Sequence, residues 1–420
     1  MANISPFKGW RYNQRRIPDF RNVLVPPYDV ITPEEQRHYY NASPYNSVRL
    51  NLNREEGKAS YIDAAKNLEQ WKYDGILTQD ETDSIYIISQ AFKYKDETIQ
   101  RIGCICALKL TELGKIVLPH EQTIEKYIDN RYKLLETTLT NTGQIFMAYK
   151  NETLGLEAIY DELDDDPIID VILDEVHYKV WQVSQLDQIN RFKDVMSGKN
   201  VVIKDGHHRY KTALRFSQNH PEIIGADKVM VTLVNSNDPG MIVLPTHRLL
   251  RGINMDINTI ISGLNDYFEI EKMNGPERVV SVLENGSKRK GVFGVYHKES
   301  DTGLLLHFTH WKELNTMFSN LSKTSRELDT NILHTFALKR VFGIDTSNQN
   351  DLKHLSYIRG NKSTLSLLQM DPNYDIACFV KPPTLEEIFS IAEAGEIMPQ
   401  KSTFFFPKIY SGLVLRCLGD

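Results

Sequence analysis

The chain contains the stretch Val201-Val202-Ile203-Lys204-Asp205-Gly206-His207-His208-Arg209-Tyr210-Lys211-Thr212-Ala213-Leu214. The three β-branched apolar residues at its start predict a short buried strand that ends at Lys204. Gly206 permits a sharp turn of the backbone. The apolar residues that follow recur at helical spacing. This stretch therefore predicts a strand, a polar turn and the first turns of a helix, which is a unit of a fold that mixes helices and strands.

The polar turn carries residue types that suit the binding of phosphate. The free N–H groups and the positive dipole end at the start of a helix favour an anion. His207, His208 and Arg209 can donate to phosphate oxygens, and Arg209 can do so with two N–H groups at once. Asp205 can hold Mg²⁺ or orient a hydroxyl group. A capped helix with solvated cations is the alternative, and composition does not separate the two. Adjacent histidines point in different directions, which argues against a shared zinc ion.

Two further segments combine polar side chains with local structure signals. Pro119-His120-Glu121-Gln122 precedes apolar positions at helical spacing, so we predict a helix that starts at Pro119. Glu121 would lie in its first turn, either as an ordinary helix-start acid or as a general base. Near the C-terminus, Lys401-Ser402-Thr403 could bind a phosphate or carboxylate through its charge and hydroxyl groups. The phenylalanines that follow are expected to pack on the core.

The composition favours a soluble globular protein with more than one lobe. The chain has 420 residues, 41% of them hydrophobic, and a net charge of −6 from 49 basic and 55 acidic residues. An acidic balance disfavours a general nucleic-acid binder, which needs a surplus of Lys and Arg. No basic and apolar leader or long apolar run is visible, and the four cysteines are scattered. We therefore expect a cytoplasmic protein with no membrane or nucleic-acid partner.

Several segments outline the organisation of the chain. Strands are predicted at 84–92, 102–110 and 228–234, and an apolar strand at 23–25 is expected to stop at two prolines. The pattern at 171–183 fits either a strand or a helix. Thr32-Pro33-Glu34-Glu35 predicts a helix start, and Lys288-Arg289-Lys290 a solvated turn. The polar run 235–240 is a candidate linker, which suggests lobes at 1–235 and 236–420.

Common nucleotide-binding and catalytic motifs are missing from the sequence. It contains no G-x-x-x-x-G-K-[ST] phosphate loop and no G-x-G-x-x-G fingerprint. The H-R-D and D-F-G motifs of protein kinases and the G-x-S-x-G nucleophile elbow are also missing. The sequence therefore gives no support to the familiar nucleotide folds.

The motifs described above resemble those of a known family, the archaeal free-serine kinases of the ParB/sulfiredoxin-like superfamily. Asp205-Gly206-His207-His208-Arg209 resembles its D-G-H-H-R box, and Pro119-His120-Glu121-Gln122 resembles its P-H-E-Q box, in the same order. The region from 381 to 403 resembles its C-terminal region. Over nearly its whole length, from the P-P-Y-D box at 26–29 to Lys401-Ser402-Thr403, the chain also resembles a widespread bacterial and archaeal domain family of unknown function.

The resemblance implies transfer of a phosphoryl group from ATP or ADP to the hydroxyl of free L-serine, which gives O-phospho-L-serine, with Mg²⁺ as a cofactor. It assigns the catalytic base to Glu121 and a role near the metal and the reacting hydroxyl to Asp205. Gly206 to Arg209 would bind the nucleotide phosphates. Lys401, Ser402 and Thr403 would contact the substrate. The present chain is longer than the archaeal kinases, so the identity of the acceptor and the choice between ATP and ADP stay open.

These observations together predict an α+β protein. Its N-terminal lobe would contain a ParB/sulfiredoxin-like nucleotide-binding core, its C-terminal lobe would be α/β, and the site would lie between them. The alternative function is a nucleotide-responsive, ParB-like regulator that binds DNA or a partner protein, against which the acidic balance counts. A reductase of the sulfiredoxin type is disfavoured further, because no cysteine lies near Asp205 in the sequence.

Overall fold

The computed structural model describes residues 1–53, 58–153, 155–285, 289–348 and 350–419, so Lys288 of the predicted basic turn lies outside the described residues. The fold mixes helices with several sheets, as expected from the sequence. Contacts between residues divide the chain into two compact units. The first comprises Met1–Pro119, Thr123–Ile242 and Pro407–Asp420, and the second comprises His120–Gln122 and Val243–Phe406. The predicted division at residue 235 stays a prediction.

The first unit is built around one large sheet flanked by helices. Its strands are β1 (Ile4–Ser5), β2 (Trp10–Tyr12), β3 (Leu77–Gln79), β4 (Ile85–Tyr94), β5 (Glu97–Lys109), β6 (Val117–Leu118), β7 (Thr140–Asn141), β8 (Ile145–Tyr149), β9 (Ile169–Leu173), β10 (Val176–Val183), β11 (Val201–Asp205) and β12 (Lys228–Asn235), and near the C-terminus Arg416–Cys417 pairs with β7. Its helices are α1 (Pro33–Ala42), α2 (Val48–Asn51), α3 (Lys58–Tyr73), α4 (Glu125–Thr138), α5 (Leu156–Asp161), α6 (Leu186–Met196) and α7 (His207–Asn219).

The large sheet has the strand order β6-β11-β8-β12-β5-β4-β10-β9, and β1 pairs with β5 off this path. The pairs β6–β11 and β8–β12 are parallel, and the other pairs are antiparallel. Eight consecutive residues of β5, from 101 to 108, are buried, as is typical of a strand covered on both faces. Ile87, Cys104, Ile203 and Phe192 belong to the main core of this unit. Val201 and Ile203 anchor β11 in this core, and β11 in turn positions the polar turn that follows it.

The second unit contains a six-stranded antiparallel sheet. Its strands are β13 (Ile242–Leu244), β14 (Thr246–Leu250), β15 (Phe268–Asn274), β16 (Val292–His297), β17 (Thr302–Phe308), β18 (Leu355–Arg359), β19 (Ile376–Phe379) and β20 (Phe404–Phe406), of which six form the sheet in the order β15-β17-β16-β19-β14-β18. Its helices are α8 (Ile257–Asn265), α9 (Gly275–Asn285), α10 (Trp311–Met317), α11 (Lys323–Arg326), α12 (Asp329–Ile332), α13 (Asn361–Met370) and α14 (Leu385–Glu393), and a π-helical turn spans Leu333–Lys339. Phe293, Leu306 and Phe336 lie in its core.

Most local predictions agree with these elements. The predicted strands at 84–92, 102–110 and 228–234 correspond to β4, β5 and β12. Helix α1 starts as predicted, because the Thr32 side chain accepts from the Glu35 N–H and the Glu35 carboxylate accepts from the Thr32 N–H. The segment 171–183, whose pattern fits either a strand or a helix, lies in a hairpin of β9 and β10. Its turn residues Asp174 and Glu175 both have positive φ, 47° and 62°, without the Gly or Asn that usually marks such a turn.

Two local predictions are wrong. The helix expected to start at Pro119 is α4, which begins only at Glu125, so Glu121 does not lie in a first helical turn. Instead Glu121 forms an isolated parallel bridge with Met398, which a search for helical periodicity cannot reveal. The strand expected at 23–25 is a short 3₁₀ turn at Phe20–Asn22 followed by a single bridge from Val25 to Ser411. In both cases the partner lies hundreds of residues away along the chain.

Candidate functional site

The polar turn between β11 and α7 has the predicted strand–turn–helix form. Gly206 is the N-cap of α7 and has φ +96°, a conformation that residues with a Cβ rarely adopt. A Cβ at Gly206 would also lie 3.0 Å from Nε and Nη2 of Arg209, because the Arg209 side chain folds back over the turn. No side chain caps this helix end. The absence of a Cβ thus allows the guanidinium to approach the start of α7.

Asp205 lies between two cations. Its Oδ1 accepts from Nζ of Lys408 at 2.9 Å, and its Oδ2 accepts from Nη2 of Arg209 at 2.8 Å. The side chains are largely buried, with exposures of 13 to 16%. Burial raises the pKa of Asp205, but the charges of Lys408 and Arg209 outweigh it and hold that pKa well below its usual value. Asp205 therefore stays ionised at any physiological pH, beside an excess of positive charge.

Lys408 is a member of this cluster that the sequence did not reveal. It lies 203 positions from Asp205 along the chain. The neighbouring sequence could have singled out Lys408, because it is the single charged residue between Phe404 and Leu415. A charge inside such an apolar run is expected to need a buried partner.

The two histidines of the turn have different environments. His207 is 6% exposed, and burial lowers its pKa to about 3, although the Asp205 charge opposes the shift. His207 is therefore neutral at pH 7. Nε2 of His208 accepts from the N–H of Ile124 at 3.0 Å, and its ring meets the Tyr127 ring edge-on. A neutral His208 thus carries its proton on Nδ1.

The second unit brings Glu121 together with the Lys401-Ser402-Thr403 segment. Oε1 of Glu121 accepts from the backbone N–H of Lys401 at 3.3 Å. Lys401 has φ +57°, and its side chain is exposed. Nε2 of the fully buried His120 lies 3.0 Å from Oγ1 of Thr403 in a hydrogen bond. Two segments that were predicted separately, 280 positions apart, are therefore neighbours in the structure.

The side chain of Ser402 is buried and already hydrogen-bonded, which is not the arrangement expected of a residue that contacts a ligand. The residue is 4% exposed, and its Oγ donates to the backbone oxygen of Pro399 at 2.6 Å. A further contact of 3.4 Å joins it to Oγ1 of Thr330. With its hydrogen engaged in this way, the hydroxyl could meet a ligand only as an acceptor.

The donor set does not fit a magnesium ion held by the protein alone. Both carboxylate oxygens of Asp205 accept from cations, so neither is open to a metal in this arrangement. Among the described residues, no three His, Cys, Asp or Glu side chains cluster as metal ligands. Mg²⁺ is often held mainly by nucleotide phosphates and water, with one or two carboxylates. The assignment of the metal to Asp205 stays a prediction.

Three of the four cysteines lie in surroundings that do not favour a reactive thiol. Cys104, Cys106 and Cys378 are fully buried. Burial raises the pKa of Cys104, and it raises the pKa of Cys378 to about 12. Thiols in such surroundings are poor nucleophiles. In the described part of the chain, no helix has the length and apolar character needed to cross a bilayer.

The fold and the clusters define a two-unit protein of mixed α and β structure, with a strand–turn–helix that carries the Asp205 cluster in its first unit. The chain belongs to DUF1015, a family described as a protein of unknown function, whose model matches residues 4–331. No curated protein matches the chain.

Three solved structures with which the chain shares low similarity illustrate its distant relatives. A conserved hypothetical protein from Pyrococcus furiosus is 14% identical, with a TM-score of 0.33 over 70% of this chain and 89% of that one. A free serine kinase in complex with AMP is 13% identical, with a TM-score of 0.33 over 71% and 89%. SbnI with a C-terminal truncation, from Staphylococcus aureus, is 11% identical, with a TM-score of 0.33 over 72% and 78%. Similarity at this level carries no argument about activity.

Proposed function

We propose that this protein is a nucleotide-dependent kinase of a small hydroxylated acceptor, with free L-serine as the first candidate and ATP or ADP as the donor. The observation that carries the proposal is the Asp205 cluster, an ionised carboxylate between Arg209 and Lys408 at the start of α7. The resemblance of two sequence boxes to those of archaeal free-serine kinases supports it, and we extend that resemblance to a ParB/sulfiredoxin-like core in the first unit.

The start of α7 has the chemistry to bind nucleotide phosphates. The N–H groups of its first residues lack partners within the helix, and the helix dipole favours negative charge there. Arg209 adds a guanidinium held by Asp205 and by the Gln144 backbone oxygen, to which Nη1 donates at 2.6 Å. Phosphoryl transfer depends mainly on positioning and on the neutralisation of charge on the phosphoryl oxygens. Fixed donors of this kind meet that need without reorganisation.

The transfer itself needs a base for the hydroxyl of the acceptor. In the proposed step, the serine oxygen forms a bond to the terminal phosphorus of the nucleotide, and the bond from that phosphorus to the bridging oxygen breaks. The serine proton passes to the carboxylate of Glu121, and the shortened nucleotide leaves with the bridging oxygen. Lys401 and Thr403 are proposed to contact the acceptor, together with Ser402 as an acceptor of hydrogen bonds. Mg²⁺ enters this proposal as the counter-ion of the nucleotide.

The test is an assay of the purified full-length protein with L-serine and either magnesium ATP or magnesium ADP. Formation of O-phospho-L-serine is measured by mass spectrometry, in parallel with a panel of other small hydroxylated acids. The Glu121→Gln variant keeps the shape of the side chain and removes the base. We expect its turnover to fall at least about a hundredfold, as is usual on loss of a general base.

The matched control is Glu125→Gln, which makes the same chemical change at a side chain that is 73% exposed and pairs with Arg215. This control should retain the rate of the wild type. Asp205→Asn is expected to weaken activity as well, because it removes the charge that holds Arg209 and Lys408 in place. Lack of phosphorylated product from every acceptor, or an unchanged rate in Glu121→Gln, would overturn the proposal.

A further inference from the structure

The first unit contains a small cavity beside α4 and α7. Its volume is about 60 Å³, and the polar residues that line it include Tyr28, Asn51, Arg131, Thr142, Arg209 and Ser411. None of the lining residues is acidic. A water molecule needs about 10–15 Å³ measured in this way, so the cavity offers about four to six water-sized positions. That space suits a phosphate ion or a hydroxy acid of two or three carbons, and it is too small for a nucleoside.

Arg131 contributes a guanidinium whose partners are neutral. Its Nη1 donates to the backbone oxygen of Asn51 at 2.6 Å, and its Nε and Nη2 donate to Oδ1 of Asn130 at 3.1 and 2.5 Å. The guanidinium also lies 4.1 Å from the centre of the Tyr28 ring. Within the described residues, no carboxylate forms an ion pair with Arg131. A buried cation that has lost its hydration water is stabilised by an anion that binds next to it.

Arg209 reaches the same cavity from α7 with one donor still unused. Its Nη1 and Nη2 are engaged with Gln144 and Asp205, whereas its Nε is buried and has no acceptor among the described residues. Buried N–H groups without an acceptor are rare in folded proteins and mark places where an ion or water is missing. Burial, with the charge of Arg209 nearby, also lowers the pKa of Arg131, a shift that a bound anion would oppose.

The charges around the cavity favour an anion even when neighbouring carboxylates are included. Asp205 is shared between Arg209 and Lys408, and Asp29 is exposed to solvent. The lining residues Arg131 and Arg209, together with Lys408 beside Asp205, therefore give three cations against two neighbouring carboxylates. The backbone of Gly143 permits the close packing of this wall, because a Cβ there would lie 2.8 Å from Oγ of Ser411 and 3.5 Å from Nη1 of Arg209. Thr142 and Ser411 also line the cavity, and the hydroxyl group of Thr142 already donates to Oδ1 of Asn51.

We propose that this cavity is a binding site for a small oxyanion, a carboxylate or a phosphate of about the size of glycolate, held by Arg131 and Arg209. The site shares Arg209 with the nucleotide-phosphate site proposed above, but it predicts binding whether or not the protein transfers a phosphoryl group. Tyr28 and Asn51 belong to the segment that precedes the glutamate box, so the inference also gives that segment a role in ligand recognition.

The experiment measures binding of sodium phosphate and of sodium glycolate to the full-length protein by isothermal titration calorimetry at constant ionic strength. The two anions separate a phosphate ligand from a carboxylate ligand, and either one binding at a single site supports the proposal. Arg131→Gln should weaken that binding about tenfold or more, since it removes a charge-assisted donor pair. The control Arg215→Gln makes the same charge change on the outer surface of α7 and should bind as the wild type does.

A second variant protects the test against a folding defect in Arg131→Gln. Ala213→Val fills part of the cavity without changing any charge, and it should abolish binding. Binding is interpreted in whichever of the two variants keeps the cooperative thermal unfolding of the wild type. Failure of both anions to bind the wild type, equal affinity in a folded variant, or equal weakening in Arg215→Gln would overturn the proposal. Displacement of the anion by AMP would also overturn it, because the site would then belong to the nucleotide.

Discussion

Replacement of Lys408 by Met removes one of the two cations that hold Asp205, and its effect can be worked out from the geometry. Methionine has nearly the length of the lysine stem, so the packing of the aliphatic part is retained. The backbone oxygen of Lys408 would still accept from Gln90 and Tyr178. The substitution therefore isolates the ion pair between Nζ and Oδ1, which are 2.9 Å apart.

The expected loss in the free energy of unfolding depends on how deeply the ion pair between Lys408 and Asp205 is buried. Loss of one partner from a buried ion pair costs about 3–5 kcal/mol, because the other charge is left without compensation. Asp205 keeps Arg209 at 2.8 Å, so we expect the lower end of that range, about 3 kcal/mol. For a unit of this size, 1 kcal/mol corresponds to about 2–4 °C, so the melting temperature of the first unit should fall by about 6–12 °C.

Differential scanning calorimetry at pH 7 measures this shift, and its pH dependence tests the cause. The pKa of Asp205 is lower in the folded state than in the unfolded state, so the pair stabilises the fold fully above about pH 4 and loses this effect as the pH falls further. The gap between Lys408→Met and wild type should therefore be constant from pH 7 to 5 and narrow below pH 4. In an Asp205→Asn background, Lys408→Met should cost much less. A loss below 2 °C at pH 7, or the same loss in both backgrounds, would refute the reasoning.

Three further variants test the surroundings of the two clusters. Gly206→Ala should lower the free energy of unfolding by about 1–3 kcal/mol in urea denaturation, because φ +96° strains a residue with a Cβ. The wild type should lose about 2 kcal/mol between pH 7 and 5 through protonation of His207 in the unfolded state, and His207→Gln should remove that part of the slope. Ser402→Ala should cost about 1 kcal/mol in the same assay, because the backbone oxygen of Pro399 loses its donor.

The sequence was informative where structure is local. The stretch from 201 to 214 contains its own strand residues, turn glycine and helical spacing, and β11 and α7 follow it closely. The capping box at Thr32 is local in the same sense, since both of its hydrogen bonds span three residues. In β9, Ile169, Val171 and Leu173 are buried between exposed neighbours, although the pattern from residue 171 onward had fitted a helix equally well.

The same approach failed where the partner of a residue is distant. Glu121 was assigned to a helix because its neighbours have helical spacing, but its bridge to Met398 comes from a segment 277 positions later. Lys408 lies shortly after the Lys401-Ser402-Thr403 segment, and nothing near it along the chain identifies Asp205 as its partner. Arg131 lies on α4 among ordinary helix residues. Its proposed role in anion binding becomes visible only in the structure, where Asn51 and Tyr28 pack against it. Such pairings depend on tertiary structure and leave no periodic trace.

The C-terminal segment Pro407–Asp420 shows why the first unit needs residues from outside the matched family region. The family model ends at residue 331, yet this segment supplies Lys408 to Asp205 and Ser411 to the cavity wall. Its backbone oxygens also accept from the buried side chains of Arg101 and Gln144, which lowers the cost of burying these polar groups. Because these contacts add partners to buried charges and donors of the first unit, we expect the segment to contribute to the stability of that unit. The D-G-H-H-R box therefore supplies only one of the two cations that pair with Asp205, and the other, Lys408, comes from this C-terminal segment.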